Sequence, residues 1–191
     1  MIDASDEAAL PTEFGQFRVK AYRDQKEREH LAVYKGDITE GSVPVRIHSE
    51  CLTGDTFHSL RCDCGWQLTE SLKIIEREGC GVIIYLKQEG RGIGLFNKIK
   101  AYALQENGKD TVEANNELGF PSDMREYNVA AEILDELGVK AVLLITNNND
   151  KIDGLKKSGI HVEGRIPLAS EPNKHNRKYL NTKRDKLKHM L

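Results

Sequence analysis

The chain has 191 residues, 39% of them hydrophobic and 30% charged, a composition typical of a globular protein with its own core. Its formal net charge of −2 gives no overall field that would attract nucleic acid or a membrane surface, so we expect neither as a partner. The acidic start Met1-Ile-Asp-Ala-Ser-Asp is not a signal peptide, and no apolar run is long enough to span a bilayer. These properties predict a cytoplasmic protein, in which cysteines bind metal more often than they form disulfides.

Alternating or continuous apolar residues predict strands in the first half of the chain. The four segments with these patterns are 15–23, 31–34, 43–48 and 81–86. Residues 66–77 carry apolar side chains at helical spacing and predict a helix. A glycine-rich turn over 88–94 follows the last of the four strands.

Helix and strand patterns alternate in the second half. Helices are predicted at 95–107, 125–137, 151–157 and 178–191, and strands at 141–145 and 160–162. This alternation predicts an α/β fold, a single layered domain over 1–191 with a mixed, partly parallel sheet flanked by helices. Residues 1–9 and about 174–191 are expected to be peripheral or flexible ends. Ligands of such folds bind beyond the carboxyl ends of strands, where the turns containing Glu89 and Thr146 lie.

The segment from Lys174 to His189 is rich in lysine and arginine, with Asp185 as its acidic residue. A charge run of this kind is most often the solvated face of a helix or a tail, and we interpret it so. The alternative is a partner surface or part of an anion site.

Three cysteines, Cys51, Cys62 and Cys64, lie around a short turn. Three thiolates bind zinc tightly, and a missing fourth protein ligand leaves a position for a water whose pKa the metal lowers toward neutrality. The alternative is a structural zinc closed by a fourth ligand, for which the sequence offers three candidates: Cys80, His48 and His58. Spacing alone leaves the catalytic and the structural site equally well supported.

Polar side chains that could bind an anion occur in four segments. Arg46 and Glu50 precede the first cysteine, and the glycine-rich turn lets backbone amides approach an anion. That turn lacks the spacing of the dinucleotide fingerprint and of the P-loop. Asp123 and Arg125 suit a general base with a phosphate clamp, while a plain N-cap is the alternative role of Asp123. The cations that would together supply the field a triphosphate needs are Arg46, Arg91, Arg125 and Lys151.

Taken in order, these segments resemble the GTP cyclohydrolase II family from about Leu10 to the C-terminus. The matching motifs include Arg46-Ile-His-Ser-Glu-Cys-Leu-Thr-Gly-Asp, Arg61-Cys-Asp-Cys-Gly, Gln88-Glu-Gly-Arg-Gly-Ile-Gly-Leu, Asp123-Met-Arg, Thr146-Asn-Asn and Tyr179-Leu-Asn-Thr-Lys. The resemblance is specific, because many independent motifs agree.

The resemblance implies an enzyme that begins riboflavin synthesis by opening the imidazole ring of GTP. The products would be 2,5-diamino-6-(5-phospho-ribosylamino)pyrimidin-4(3H)-one, formate and diphosphate. Zinc held by Cys51, Cys62 and Cys64 would carry the water that attacks guanine C8. Mg²⁺ would bridge the phosphate oxygens, and a homodimer is expected.

The resemblance also assigns roles to single residues. Asp123 would be the proton acceptor and Arg125 the nucleophile toward the α-phosphate, although stabilisation of the phosphoryl transition state is simpler for a guanidinium that stays protonated. Tyr102 would orient water or relay protons, with a buried helix aromatic as its alternative. The residues expected to bind GTP are Arg46, Ile47, His48, Ser49, Glu50, Gln67, Glu89, Gly90, Arg91, Thr111, Thr146 and Lys151.

The chain departs from the family pattern at Asn149, where a proline is usual, and at Lys188, where a glycine is usual. Many members carry a second enzyme domain for the other riboflavin precursor, and 191 residues leave no room for it. Two other functions are compatible with the motifs. One is a GTP-binding regulatory protein with a structural zinc, and the other is an enzyme that stops after the first ring opening.

Overall fold

The computed structural model of the protein describes residues 2–190, in which eight strands form one sheet. The strands are β1 (Asp3–Ala4), β2 (Ala8–Thr12), β3 (Gly15–Arg23), β4 (Glu29–Lys35), β5 (Ser42–Ser49), β6 (Gly81–Leu86), β7 (Ala141–Ile145) and β8 (His161–Ile166). Their order is β1-β3-β4-β6-β5-β7-β8, with β2 also paired to β3.

The helices within residues 2–190 connect these strands and extend the chain beyond them. They are α1 (Leu52–Asp55), α2 (Cys64–Glu78), α3 (Gly94–Glu106), α4 (Thr111–Glu117), α5 (Asn128–Glu136), α6 (Asn149–Lys157) and α7 (Arg177–Asp185), with a short 3₁₀ turn at Glu89–Gly92. None of the helices in this part of the chain is long and apolar enough to cross a membrane.

The sheet is mixed, and this confirms the predicted α/β fold. Strands β1 to β4 and β6 pair antiparallel, whereas β5, β7 and β8 pair parallel. Parallel pairing brings the carboxyl ends of β5 and β7 to the same edge, because Val45 lies opposite Leu144. The segments that follow these two strands therefore start side by side.

The chain divides into two compact units. Unit 1 comprises the residues up to His48, Leu68–Lys87 and Glu126–Leu168, and it contains the sheet. Unit 2 comprises Ser49–Gln67, Gln88–Arg125 and the residues from Ala169 onward.

The core of unit 1 lies on both faces of the sheet. Along β6, Val82 and Ile84 belong to the cluster that includes α5, while Ile83 belongs to the cluster that includes α2. Both faces of this strand are covered, so its sequence is continuously apolar instead of alternating. Each such fully buried aliphatic side chain contributes roughly 1.5–3 kcal/mol to folding.

The predicted helix boundaries that differ from the structure include those of α5, α6 and α7. Helix α5 begins at Asn128 and not at 125, because the Asp123 carboxylate accepts the backbone N–H of Arg125 and holds a turn there. Helix α6 begins at Asn149, two residues early, since the Asn148 side chain caps it. Helix α7 ends at Asp185, and the predicted end at 191 lies outside the described residues.

Helix α4 and strands β1 and β2 were absent from the sequence prediction. Helix α4 is short and polar, and a capping box between Asp110 and Glu113 starts it. Strands β1 and β2 carry mostly exposed residues, so no apolar alternation marks them.

A buried histidine ties β4 to the end of β6. His30 has no exposed surface, and its Nδ1 accepts the backbone N–H of Lys87 at 3.0 Å. Its Nε2 lies 3.4 Å from the Asp24 carboxylate. Burial lowers the pKa of His30 below its usual value, although Asp24 partly opposes the shift. The imidazole is therefore neutral in the folded protein.

We expect this histidine to make the free energy of unfolding depend on pH. Because its folded pKa is depressed, its contribution is complete above the unfolded value of about 6.5 and is lost as pH falls through the folded pKa. His30→Asn should destabilise the protein by roughly 1–3 kcal/mol at pH 7.5 and by less at pH 5. Urea denaturation at both pH values measures this, with exposed His161→Asn as the control. An equal loss at both pH values would contradict the assignment.

Candidate active site and metal centre

Three sulfur atoms form a compact cluster in unit 2. Cys51 precedes α1, Cys62 lies in the following turn and Cys64 begins α2, and their Sγ atoms all lie within 4.8 Å of one another. The Cys51 and Cys62 sulfurs are 3.7 Å apart. Tetrahedral zinc with bonds of about 2.3 Å would hold two sulfurs about 3.8 Å apart. The donor set and its spacing therefore fit zinc.

Glycine lets the backbone approach this cluster closely. A Cβ atom at Gly54 would lie 2.8 Å from the Cys62 sulfur and 3.1 Å from that of Cys51. Any larger residue there would push the sulfurs apart.

No fourth protein ligand joins the cluster within residues 2–190. The group of cysteine, histidine and acidic side chains that could share an ion consists of the three cysteines. The candidates for closing the site, Cys80, His48 and His58, are not members of it. Three sulfur ligands with one further position left for a small molecule is the donor pattern of catalytic zinc.

A lysine and a glutamate lie beside the first cysteine. Lys98 is a buried residue, only 8% exposed, and its ammonium donates to the Cys51 sulfur at 3.2 Å and to Glu89 Oε1 at 2.8 Å. Burial disfavours the charge, but the Cys51 sulfur and Glu89 outweigh it and raise the pKa of Lys98. Hydrogen bonds from Cys62 and Cys64, with Lys98, lower the pKa of Cys51. The ammonium at its sulfur therefore favours the thiolate form of Cys51.

Tyr102 lies next to the cluster on α3. Its hydroxyl is 3.3 Å from Thr53 Oγ1, which is itself 3.8 Å from the Cys51 sulfur. The Arg61 guanidinium stacks over its ring at 4.3 Å. Burial raises the pKa of Tyr102, so the phenol stays protonated at neutral pH and can donate a hydrogen bond.

The glycine-rich turn presents an arginine with unused donor capacity. Gly90 and Arg91 both have left-handed backbone angles, with φ of 62° and 61°, a strained conformation for arginine. The buried Nη1 atom of Arg91 has no hydrogen-bond partner among the described residues. A buried guanidinium nitrogen without an acceptor is poised to bind an anion.

The same turn contacts the segment that carries Asp123 and Arg125. The N–H of Met124 donates to the carbonyl of Arg91 at 3.0 Å, and a Cβ at Gly92 would lie 3.0 Å from the Met124 side chain. The small residue at Gly92 thus lets the two segments approach each other.

Asp123 and Arg125 form an ion pair. Nε of Arg125 donates to Asp123 Oδ1 at 2.9 Å, and its Nη2 donates to Oδ2. Burial alone would raise the pKa of Asp123, but the Arg125 hydrogen bonds and charge outweigh it and lower that pKa. The carboxylate is ionised at neutral pH, and it stabilises the protonated form of the guanidinium.

The C-terminal helix packs a lysine against the cysteine turn. Lys183 Nζ donates to Asp63 Oδ1 at 2.6 Å, and both side chains are almost fully buried. Asp63 lies between two of the cysteines in sequence and also accepts from Gln67 Nε2 at 2.6 Å. The interpretation of this basic segment as solvated therefore holds for exposed residues such as Arg184 but is wrong for Lys183.

Unit 1 gathers four of the predicted GTP-binding residues near the edge where β5 and β7 end. Arg46 Nη1 donates to the carbonyl of Ile145 at 3.0 Å, and Lys151 Nζ donates to that of Ile47 at 2.6 Å. The Ile47 side chain is part of the apolar core, which leaves only its backbone for polar contacts. Thr146, at the end of β7, accepts the N–H of Asn148.

The remaining predicted residues lie in different settings. His48, in unit 1, stacks on Tyr85 with ring centres 5.3 Å apart. In unit 2, the buried Oγ of Ser49 has no hydrogen-bond partner among the described residues, and Thr111 is the first residue of α4. Glu50 lies between the end of β5 and Cys51.

Sequence reasoning missed four residues that contact this cluster or its turn: Thr53, Asp63, Lys98 and Lys183. Lysine and threonine are common on exposed helix faces, so residue type gave no signal. Asp63 offered one, because it lies between two cysteines that the sequence predicts to bind metal.

Comparison with known proteins gives a consistent result. A model of the family described as GTP cyclohydrolase II matches residues 3–167. The riboflavin biosynthesis protein RibBA of Chlorobium phaeovibrioides is 53% identical over 193 residues, which cover all of this chain and 47% of that protein. The GTP cyclohydrolase-2 of Actinobacillus succinogenes is 53% identical over 187 residues, which cover 97% of this chain and 86% of that protein. The chain thus spans about half the length of its RibBA relative.

The solved structures that match this chain include RibBX, a two-domain 3,4-dihydroxy-2-butanone 4-phosphate synthase from A. baumannii, with a TM-score of 0.50 and 20% identity. The match covers 89% of this chain and 40% of that one, and it supports the α/β fold alone.

The buried Asp63–Lys183 pair gives a stability prediction. Lys183→Met should lower the free energy of unfolding by roughly 3–5 kcal/mol, because it leaves the Asp63 carboxylate buried without its cation. Asp63→Asn combined with Lys183→Met should cost less than the single lysine change. Denaturant unfolding of the metal-loaded protein measures both, with exposed Arg184→Met as the control. Equal losses in the single and double variants would rule out this coupling.

Proposed function

Because this chain belongs to the GTP cyclohydrolase II family, we propose that it hydrolyses GTP to 2,5-diamino-6-(5-phospho-ribosylamino)pyrimidin-4(3H)-one, formate and diphosphate. This reaction begins riboflavin biosynthesis, the process named in its RibBA relatives. The observation that carries the proposal is the cluster of three sulfurs at zinc-binding distances, with no fourth protein ligand among residues 2–190. A closed structural zinc would need that fourth ligand.

Cys51, Cys62 and Cys64 would hold the zinc. When bound there, zinc lowers the pKa of a coordinated water so that a nucleophile for guanine C8 is available near neutral pH. The thiols must lose their protons to bind metal, and the low pKa of Cys51 favours the first of these steps.

Tyr102 would act at the second hydrolysis, which releases C8 as formate. Its phenol is protonated at neutral pH and lies beside the cysteine cluster through Thr53. A protonated phenol at this position can donate a hydrogen bond to water or to the formyl oxygen. The stacking of Arg61 fixes the ring orientation that this role needs.

Arg91 and Arg125 would bind the phosphates within unit 2. The Nη1 atom of Arg91, which has no hydrogen-bond partner among the described residues, supports this role. The Asp123–Arg125 ion pair supports separate roles for its two members. Asp123 would accept a proton or orient water, while Arg125 stabilises charge at the α-phosphorus as diphosphate leaves. An arginine held protonated by a carboxylate favours this role over that of a nucleophile. Mg²⁺ would bind to the phosphate oxygens of GTP and reach the site together with the substrate.

The other residues of the GTP assignment follow from the resemblance. Arg46 and Lys151 add positive charge in unit 1, where Thr146 adds a hydroxyl. The set proposed to bind the base, ribose or phosphates also contains Ile47, His48, Ser49, Glu50, Gln67, Glu89, Gly90 and Thr111. For Ile47 the contact would be made by the backbone, because its side chain is in the core.

We further propose a homodimer in the cytoplasm. Unit 2 exposes large apolar side chains, among them Phe57 at 72%, Phe96 at 74% and Ile99 at 48%, as expected for surfaces that meet a partner. The four cysteines are free, which suits a reducing compartment.

The proposal is tested by supplying GTP and Mg²⁺ and following formate and diphosphate together. We expect both products from the zinc-loaded protein and neither after zinc is removed with a chelator. Cys51→Ser should reduce formate release more than about 100-fold, because the loss of a metal ligand exceeds the loss of an outer contact. Cys80→Ser is the matched control, since Cys80 lies outside the cluster and should keep full activity. GTP that binds tightly while neither product appears would favour a regulatory GTP-binding protein.

The role of Arg125 gives a separate prediction. Arg125→Gln should slow diphosphate release about 100- to 1,000-fold, because it removes a charged donor from the transition state. Arg125→Lys should restore part of that loss, since the positive charge returns. Rapid-quench measurement of diphosphate distinguishes the two variants. A covalent nucleotide adduct on Arg125, trapped in alkali and detected by mass spectrometry, would instead establish the nucleophile.

A further inference from the structure

Lys98 lies in the interior of unit 2 although the sequence resemblance gives it no role. Its ammonium donates to the Cys51 sulfur and to Glu89, and it lies 5.7 Å from the centre of the Tyr102 ring. Lys98 is only 8% exposed as a residue, so its ammonium gives up hydration that these contacts must replace. The surroundings of Lys98 therefore stabilise its positive charge.

Glu89 accepts hydrogen bonds near the cysteine cluster with both of its carboxylate oxygens. Oε1 accepts from Lys98 and from the N–H of Gly90 at 2.8 Å, and Oε2 accepts the N–H of Leu52 at 2.6 Å. Leu52 follows Cys51 in the chain. One carboxylate thus holds both the backbone beside the metal ligand and the cation that contacts its sulfur.

The arrangement distinguishes Cys51 from the other two cysteines. Within residues 2–190, Lys98 is the charged group that hydrogen-bonds a sulfur of the cluster. Three thiolates with a divalent ion would carry one excess negative charge, and the Lys98 ammonium lies between that charge and the Glu89 carboxylate. A hydrogen bond to a coordinating sulfur also withdraws electron density from it, which leaves a metal ion a stronger Lewis acid.

We propose that Lys98 is a positioning residue of the metal centre, which fixes the Cys51 sulfur and draws negative charge from it. Glu89 in turn fixes Lys98. The inference rests on the proposed function, because it takes the three sulfurs to hold a catalytic metal ion. It gives Glu89 a task in the metal centre, in addition to the GTP contact assigned by the resemblance.

The test compares Lys98→Met, which keeps length without charge, with Lys98→Arg, which keeps the charge. Lys100→Met is the control, because Lys100 is an exposed lysine on the same helix. Zinc affinity is measured by competition with a chromophoric chelator in the absence of GTP. The protein is also loaded with Co²⁺, whose sulfur-to-metal charge-transfer band reports the electron density of the ligand sulfurs.

We expect Lys98→Met to bind zinc about 10- to 100-fold more weakly, as is usual when an outer partner of a ligand is lost. Its charge-transfer band should move to longer wavelength, because a sulfur without the ammonium gives up an electron more easily. Lys98→Arg should recover most of the affinity and return the band toward its original position. Lys100→Met should change neither measurement.

An affinity and a spectrum for Lys98→Met that both match Lys100→Met would overturn the proposal. So would an arginine variant that behaves like the methionine variant, because the charge would then be irrelevant. If Lys98→Met loses its native circular dichroism, Lys98→Gln is measured against the same criteria. A different result would contradict the proposed function: zinc-loaded wild-type protein that releases neither formate nor diphosphate from GTP.

Discussion

The close packing of three cysteine sulfurs is the constraint on which the arrangement of unit 2 depends. Sulfurs within 4.8 Å of one another repel as thiolates, and burial removes the water that would screen them. Two lysines from distant parts of the chain place positive charge here. Lys98 donates to the sulfur of the first cysteine, and Lys183 donates to the aspartate between the other two. Each lysine in turn needs an acid, so the two charge pairs and the cluster stabilise one another.

The sheet brings together residues that are far apart in sequence. Parallel β5 and β7 end at one edge, so Arg46 and Thr146 start from neighbouring positions although about 100 residues separate them. The apolar strands need no polar side chains of their own, because their hydrogen bonds lie within the sheet. Polar residues are left to the segments after the strands, where a ligand can reach them.

The sequence predicted the α/β fold and the central strands well, because burial on both faces produces continuous apolar runs such as Gly81–Leu86. It also placed the three cysteines in one cluster from their spacing. It did not predict the short, polar helix α4 or the exposed strands β1 and β2, which lack the apolar repeats that make an element visible. Nor could it find Lys98 and Lys183, whose burial depends on contacts 47 and 120 residues away.

The separation of Asp63 from Lys183 also sets an order of events during synthesis. A ribosome that adds about 5–20 residues per second needs roughly 6–24 s to cross those 120 residues. The cysteine turn leaves the ribosome first and spends that interval without the helix that neutralises its aspartate. Burial of the Asp63 carboxylate against its cation is therefore a late step in the folding of the nascent chain.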